Sequence, residues 1–347
     1  MPDDAYKNPL NIEVGGDDPI VMDLVQLYKE NFDQTVLGIE KLPESGSSRQ
    51  YFRIRHDEGT LIAAYNANTP ENETFISFSQ QFRNMGFNVP TILKVSGDKT
   101  MYLMEDLGDR TLSLYQREKS IEEVERVYKI TLDQLIDLQV AGGNIDFSSI
   151  THRLIFDKQS MIWDLNYFKY LFLRTNGIGF NEDRLETDFD TMTSLLIQAD
   201  SQFFMFRDFQ SRNVMLSDGG VFFIDYQGGR LGGLQYDVTS LINDIEADLP
   251  FDLRQRLLEY YIHRASQRIP NFNPETFMQY YPMYALLRIS QNFGVFGLKG
   301  MIEGKTSFRD AIPLGQKTLA WWLEEYNVKD SIPELSRSLE LITLRKF

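Results

Sequence analysis

The chain has 347 residues, no cysteine, and a formal charge of −15 from 35 basic and 50 acidic side chains. Lack of cysteine excludes a disulfide framework, thiolate metal sites and a thiol nucleophile, and the acidic balance argues against a nucleic-acid backbone as main partner. No apolar run approaches the ~20 residues of a membrane span, and Met1-Pro2-Asp3-Asp4 lacks the basic-then-apolar pattern of a secretion signal, so a soluble cytoplasmic protein, a monomer with no nucleic-acid or membrane partner, is expected.

Residues 1–34 read as a polar leader (1–19) followed by a first helix at about 19–31, with Val21, Leu24, Val25 and Tyr28 on one face. Three short strands follow at 36–42, 51–56 and 61–65, and the turn residues between them favour hairpins. Thr69-Pro70 opens a helix through a hydroxyl cap and an early proline. Phe75, Phe78, Phe82 and Met85 mark its inner face, and Gly86 stops it. Two more strands, 91–95 and 100–104, complete a β-rich lobe over residues 35–105. After Gly108 the spacing turns helical, at 122–141, 153–174, 183–200 and from Asp237 onward. The fold class is therefore α+β, with an antiparallel β lobe carrying one helix, and a mostly helical lobe over residues 106–347. Two lobes joined by a short strand leave a cleft, a common place for a ligand.

A strand-like island interrupts the helical lobe. Val214–Leu216 and Val221–Ile224 are apolar and flank the turn Ser217-Asp218-Gly219-Gly220. In a hairpin centred on Gly219, Asn213 and Asp225 stand at the open end, where two oxygen donors could share a hard cation such as Mg²⁺. Asp208, five residues before Asn213, could accept the proton of a substrate hydroxyl. A lone D-x4-N is more often a polar hairpin end. The second aspartate beyond an apolar strand, and the β lobe upstream, favour chemistry.

This D-x4-N, apolar strand and Asp resemble the catalytic and metal loops of protein kinases and of the aminoglycoside phosphotransferase/choline kinase-like family. The closest likeness is to bacterial anomeric sugar kinases that phosphorylate N-acetylmuramate and N-acetylglucosamine at the 1-hydroxyl. It is carried by Gly46-Ser47-Ser48-Arg49-Gln50-Tyr51-Phe52-Arg53, Met104-Glu105-Asp106-Leu107-Gly108-Asp109, Arg207-Asp208-Phe209-Gln210-Ser211-Arg212-Asn213, and Asp225-Tyr226-Gln227 with Tyr236-Asp237. The resemblance implies a two-lobed kinase-like fold and transfer of a phosphoryl group from ATP to an alcohol or sugar. It assigns Asp208 as base and Asn213 and Asp225 as Mg²⁺ ligands.

Ser45, Gly46, Ser47 and Ser48 would let backbone N–H groups approach phosphates, and the main chain of Glu105 and Leu107 would meet adenine. Three departures stand out. The strand 61–65 lacks the usual phosphate-binding lysine, for which Arg49 or Arg53 could substitute. Phe206 replaces a histidine, and Gly228 stands where the sugar-kinase pattern is acidic. Asp237 reads as a helix N-cap or, by resemblance, as a brace for the catalytic loop. Acceptor candidates are Asp164, Asn166, Gln227, Arg230, Arg288 and Asn292. The rival readings are a kinase for an aminoglycoside, choline or another amino alcohol, whose cationic acceptors would suit acidic surface, and a pseudokinase regulator.

Overall fold

The computed structural model describes residues 10–12, 18–43 and 49–347. They form two compact units. One holds the described residues up to Arg110 with Ile145–Thr151 and Met215–Gln227; the other holds Thr111–Asn144, His152–Val214 and Gly228–Phe347.

The first unit is built on six antiparallel strands in the order β1-β2-β3-β4-β6-β5: β1 (Leu10–Ile12), β2 (Val36–Lys41), β3 (Gln50–His56), β4 (Gly59–Tyr65), β5 (Ile92–Val95) and β6 (Met101–Glu105). The expected leader thus contains a strand. It pairs with β2 from Leu10 opposite Lys41 to Ile12 opposite Ile39. Three residues are too short to show a period-2 signal. Helix α1 (Pro19–Lys29) buries Val21, Leu24, Val25 and Tyr28 against Ile39, Phe52, Ile54, Leu61, Ala63 and Leu103. The strand partners recur at every second position, as a sheet with one core face requires.

Helix α2 (Thr69–Asn84) buries Phe75, Phe78 and Phe82. Two details differ from expectation. The N-cap is Asn68, with no side-chain cap bond, and Thr69 is already helical. Met85 is the C-cap and is exposed, because Gly86 at φ +88° turns the chain away one residue later.

The second unit contains α3 (Leu112–Glu118), α4 (Ile121–Gly142), α5 (Lys158–Phe168) continued as a π-helix to Arg174, and α6 (Glu182–Leu196). The expected helix at 153–174 starts late because Asp157 caps it, accepting from Ser160 N–H. Strand β7 (Phe203–Met205) pairs antiparallel with β10 (Arg230–Gly232), whereas the hairpin of β8 (Val214–Ser217) and β9 (Gly220–Phe223) between them in sequence belongs, from Met215 on, to the first unit. Helices α7 (Gln235–Ile242), α8 (Phe251–Arg268), α9 (Pro274–Val295), α10 (Thr306–Asp310), α11 (Ile312–Glu325) and α12 (Pro333–Leu344) complete the second unit. All eight residues of α7 are buried. A helix apolar or internally paired all round belongs in a core, and α7 supplies Asp237, which holds the backbone of Phe206 and Arg207. No helix among the described residues is long and apolar enough to cross a membrane.

Candidate active site

The loop bearing Asp208 starts where β7 ends. Arg207 has φ +83°, a region bulky L-residues rarely adopt, so its surroundings must hold it there. Its N–H donates to Asp237 Oδ1 at 3.0 Å, beside Phe206 N–H to Asp237 Oδ2 at 2.6 Å. Its guanidinium forks onto Asp164 at 2.7 and 2.5 Å, and donates to the Tyr236 hydroxyl at 2.6 Å. It also lies over the rings of Phe156 and Tyr236, at 4.8 and 5.1 Å. Asp237 is the third residue of α7, not its N-cap, which is Leu234. The bracing role is the one its contacts show. Burial pushes its carboxyl up to about 7, against the pull of the two N–H donors.

The far end of the loop is held in the same way. Ser211 N–H and Oγ both donate to Asp244 Oδ2, at 2.9 and 2.6 Å. Asn213 Nδ2 donates to the Asp208 carbonyl at 2.8 Å, which fixes the amide plane. Asp208 itself keeps 46 % of its side chain exposed, and Arg288 Nη2 approaches its Oδ1 at 3.4 Å. The result is an accessible carboxylate on a backbone clamped at both ends, the arrangement a general base needs.

In the first unit, Tyr226 anchors the segment after β9. It is fully buried, stacks on Phe75 at 5.1 Å, meets Phe82 edge-on and shares a 2.6 Å hydrogen bond with Ser79. Asp225, at φ +67°, and Gln227 flank this anchor. Gln227 Nε2 donates to Asp225 Oδ1 at 2.8 Å and to Glu71 Oε1 at 3.4 Å. Glu71 in turn pairs with buried Arg49 at 2.8 Å. Gln227, expected at the acceptor, is thus one link of a relay Arg49–Glu71–Gln227–Asp225.

The other expected residues fall as follows. Ser45, Gly46, Ser47 and Ser48 lie outside the described residues. Arg53 is taken by Asp106 and Asp109, each at 2.7 Å. The Glu105 carboxylate accepts from Thr91 N–H and Oγ1, and Leu107 packs with Met215 and Phe222. Asp164 faces Arg207, and Asn166 Oδ1 is buried without a partner. Arg288 is buried and spends its donors on Ser240 at 3.0 Å, Gln291 and Asp208. Asn292 is buried and lines a small cavity with Asp208, Arg212, Glu246 and Gln291. Sequence reasoning missed Glu71, whose place in a first turn suggests only a helix-dipole role. It also missed Asp244, although its seven-residue spacing from Asp237 equals two helical turns and was a usable signal.

The resemblance implies a magnesium ion. Asn213 and Asp225 offer an amide and a carboxylate oxygen, the hard donors Mg²⁺ takes, and Mg²⁺ usually completes its shell with phosphate oxygens and water. No group of three or more His, Cys, Asp or Glu suited to a metal occurs among the described residues. Each side chain, taken by itself, has the donor chemistry that suits the ion.

Residues 38–272 match the model of the phosphotransferase enzyme family. The chain is 24 % identical over 279 residues to an N-acetylmuramate/N-acetylglucosamine kinase of Neisseria meningitidis, covering 76 % of this chain and 79 % of that one. It is 24 % identical over 286 residues to a protein of the same name from Pseudomonas aeruginosa, covering 79 % and 81 %. The choline kinase of Cryptosporidium parvum shares the fold, with a TM-score of 0.57 at 12 % identity over 87 % of this chain and 93 % of that one. With the family model spanning well over half its length, and a clamped D-x4-N loop at its centre, the chain belongs to the phosphotransferase enzyme family and is a small-molecule kinase.

Proposed function

We propose that this kinase moves the γ-phosphoryl group of ATP to the anomeric hydroxyl of an N-acetylated amino sugar such as N-acetylmuramate. The observation that carries the phosphoryl-transfer part is the accessible Asp208 carboxylate on a loop held by Asp237 and Asp244. The sugar is supported by the names of the two relatives at 24 % identity.

In this reading residues 35–105 bind the nucleotide, and residues 106–347 supply the base and the acceptor site. Asp208 orients the acceptor hydroxyl and takes its proton. Asn213 and Asp225 hold Mg²⁺, with Gln227 fixing the Asp225 carboxylate. When bound, the ion neutralises phosphate charge. Arg49, rather than Arg53, replaces the missing lysine. The pairing of buried Arg49 with the half-buried Glu71 of α2 matches the kinase pair in which a helix glutamate holds the phosphate-binding lysine, whereas Arg53 is held by Asp106 and Asp109. Ser45, Gly46, Ser47 and Ser48 line the phosphates, and the main chain of Glu105 and Leu107 meets adenine. Asn166 and Asn292 belong to the acceptor side.

The test is Mg-ATP turnover on a panel of N-acetylmuramate, N-acetylglucosamine, an aminoglycoside, choline and ethanolamine. The proposal expects ADP release with the N-acetylated sugars. Turnover confined to the amines would replace it with the amino-alcohol reading.

A further inference from the structure

Three arginines of the helical unit lie around the catalytic loop, and their partners are unequal. Arg207 has Asp164 and the Tyr236 hydroxyl. Arg288 has Asp208, Ser240 and Gln291. Arg230 has only a 3.2 Å bond from Nε to the Gly228 carbonyl, and no carboxylate among the described residues pairs with it. It sits on β10 directly opposite Met205, three residues before the base. The residue is neither buried nor fully exposed, so its guanidinium is partly desolvated yet reachable.

This setting opposes an isolated cation. Burial, and then the neighbouring Arg207 charge, lower its proton affinity to about 10, and the same two arginines, behind burial, help to depress His152. Such a charge is costly until an anion completes it. Asp164 and Asp208 exert an attraction on Arg230, but each already faces another arginine at hydrogen-bond or near hydrogen-bond distance. No carboxylate among the described residues completes Arg230, and an anionic ligand would.

We infer that Arg230 receives a carboxylate of the acceptor and makes this kinase prefer an acidic sugar to its neutral counterpart. The inference rests on the proposed function, since it takes the acceptor to be bound beside Asp208. It also moves the anion-reading role away from Arg288, whose donors are spent. A planar guanidinium suits a carboxylate because two parallel N–H···O bonds can form.

The test uses matched acid and neutral acceptors, N-acetylmuramate against N-acetylglucosamine and glucuronate against glucose, with the full chain and its Arg230→Gln and Arg230→Lys variants. Wild type should favour the acid member of a pair. Arg230→Gln should cut kcat/KM for that member by about tenfold or more, the size of one lost charge-assisted contact. The loss should lie mainly in the acceptor KM, with the neutral member and the KM for ATP changed less than about twofold. Arg230→Lys should retain part of the preference. Equal losses for both members, or a rise in KM for ATP, would assign Arg230 to the phosphates and overturn the inference. A second arm needs no turnover: the rise in Tm on adding each acceptor. If no panel sugar is phosphorylated, the proposed function fails. The inference still stands if acids stabilise wild type more than neutrals and Arg230→Gln abolishes the difference. If the acids give no such advantage in wild type, it falls.

Discussion

The loop 206–213 and the segment 225–230 carry most of the groups expected to do chemistry, and they are built in opposite ways. The loop is held by protein at both ends: Asp237 takes the N–H groups of Phe206 and Arg207, Asp244 takes Ser211, and Asp164 takes the Arg207 side chain. In the second segment Tyr226 is the buried anchor, Gln227 steadies Asp225 from one side, and Arg230 rests on one carbonyl. In the proposed reaction Asp208 must be in place before the hydroxyl arrives, which a backbone fixed in advance provides. Groups that meet a cation or an anion can leave part of their coordination for the ligand to complete.

Substitutions can break this contrast. The largest effect is expected for Asp208→Asn. It should lower kcat by about 10³-fold or more, within the range for loss of a positioned base, while ATP affinity measured by calorimetry stays near wild type. Asp164→Ala should cost about 3 kcal/mol in urea denaturation, since it leaves the Arg207 guanidinium without its buried partner. Double substitution with Arg207→Gln should be no worse than the single change, because the unpaired charge is then gone. Gln227→Ala should spare stability and raise the Mg²⁺ concentration needed for half-maximal rate by several-fold, on the order of one hydrogen bond. An equal loss of stability in Gln227→Ala and Asp164→Ala would contradict the contrast.

Asp237 offers a pH test of the braced end. Its folded-state pKa is raised by burial from 3.8 to about 7. Between those values the folded chain holds a proton that the unfolded chain has released. The stabilising contribution is therefore complete below the unfolded value and is lost as pH rises through about 7. Lowering pH from about 8 to about 5 should raise the Tm of wild type relative to Asp237→Asn, and parallel Tm profiles would refute the buried-proton account. The smallest effect belongs to Asp109→Asn. Its side chain is 76 % exposed, so breaking its pair with Arg53 should change stability by less than about 1 kcal/mol.

Much of this architecture is legible in the sequence. The order of three strands, helix and two strands follows from turn residues and period-2 alternation, and α1 buries the four residues its spacing selects. The loop from Asp208 to Asp225 is legible because it combines polar loop residues with short apolar strands. Strand β1 is not, since three residues carry no periodicity. The side-chain partners are the other limit. Asp164, Gln227 and Arg288 are polar residues expected at the acceptor, and each is bound to a side chain from a distant part of the chain, Arg207, Glu71 and Asp208 respectively. Local pattern says that a buried arginine needs a partner, but the fold decides which one.

The central claim is an anomeric kinase driven by Asp208. Its most direct measurement is phosphorus and proton NMR of the product formed from N-acetylmuramate and Mg-ATP by wild type and by Asp208→Asn. The account predicts a phosphate coupled to the anomeric proton with wild type and no product with the variant. A phosphate on any other oxygen, or undiminished product with Asp208→Asn, would contradict it.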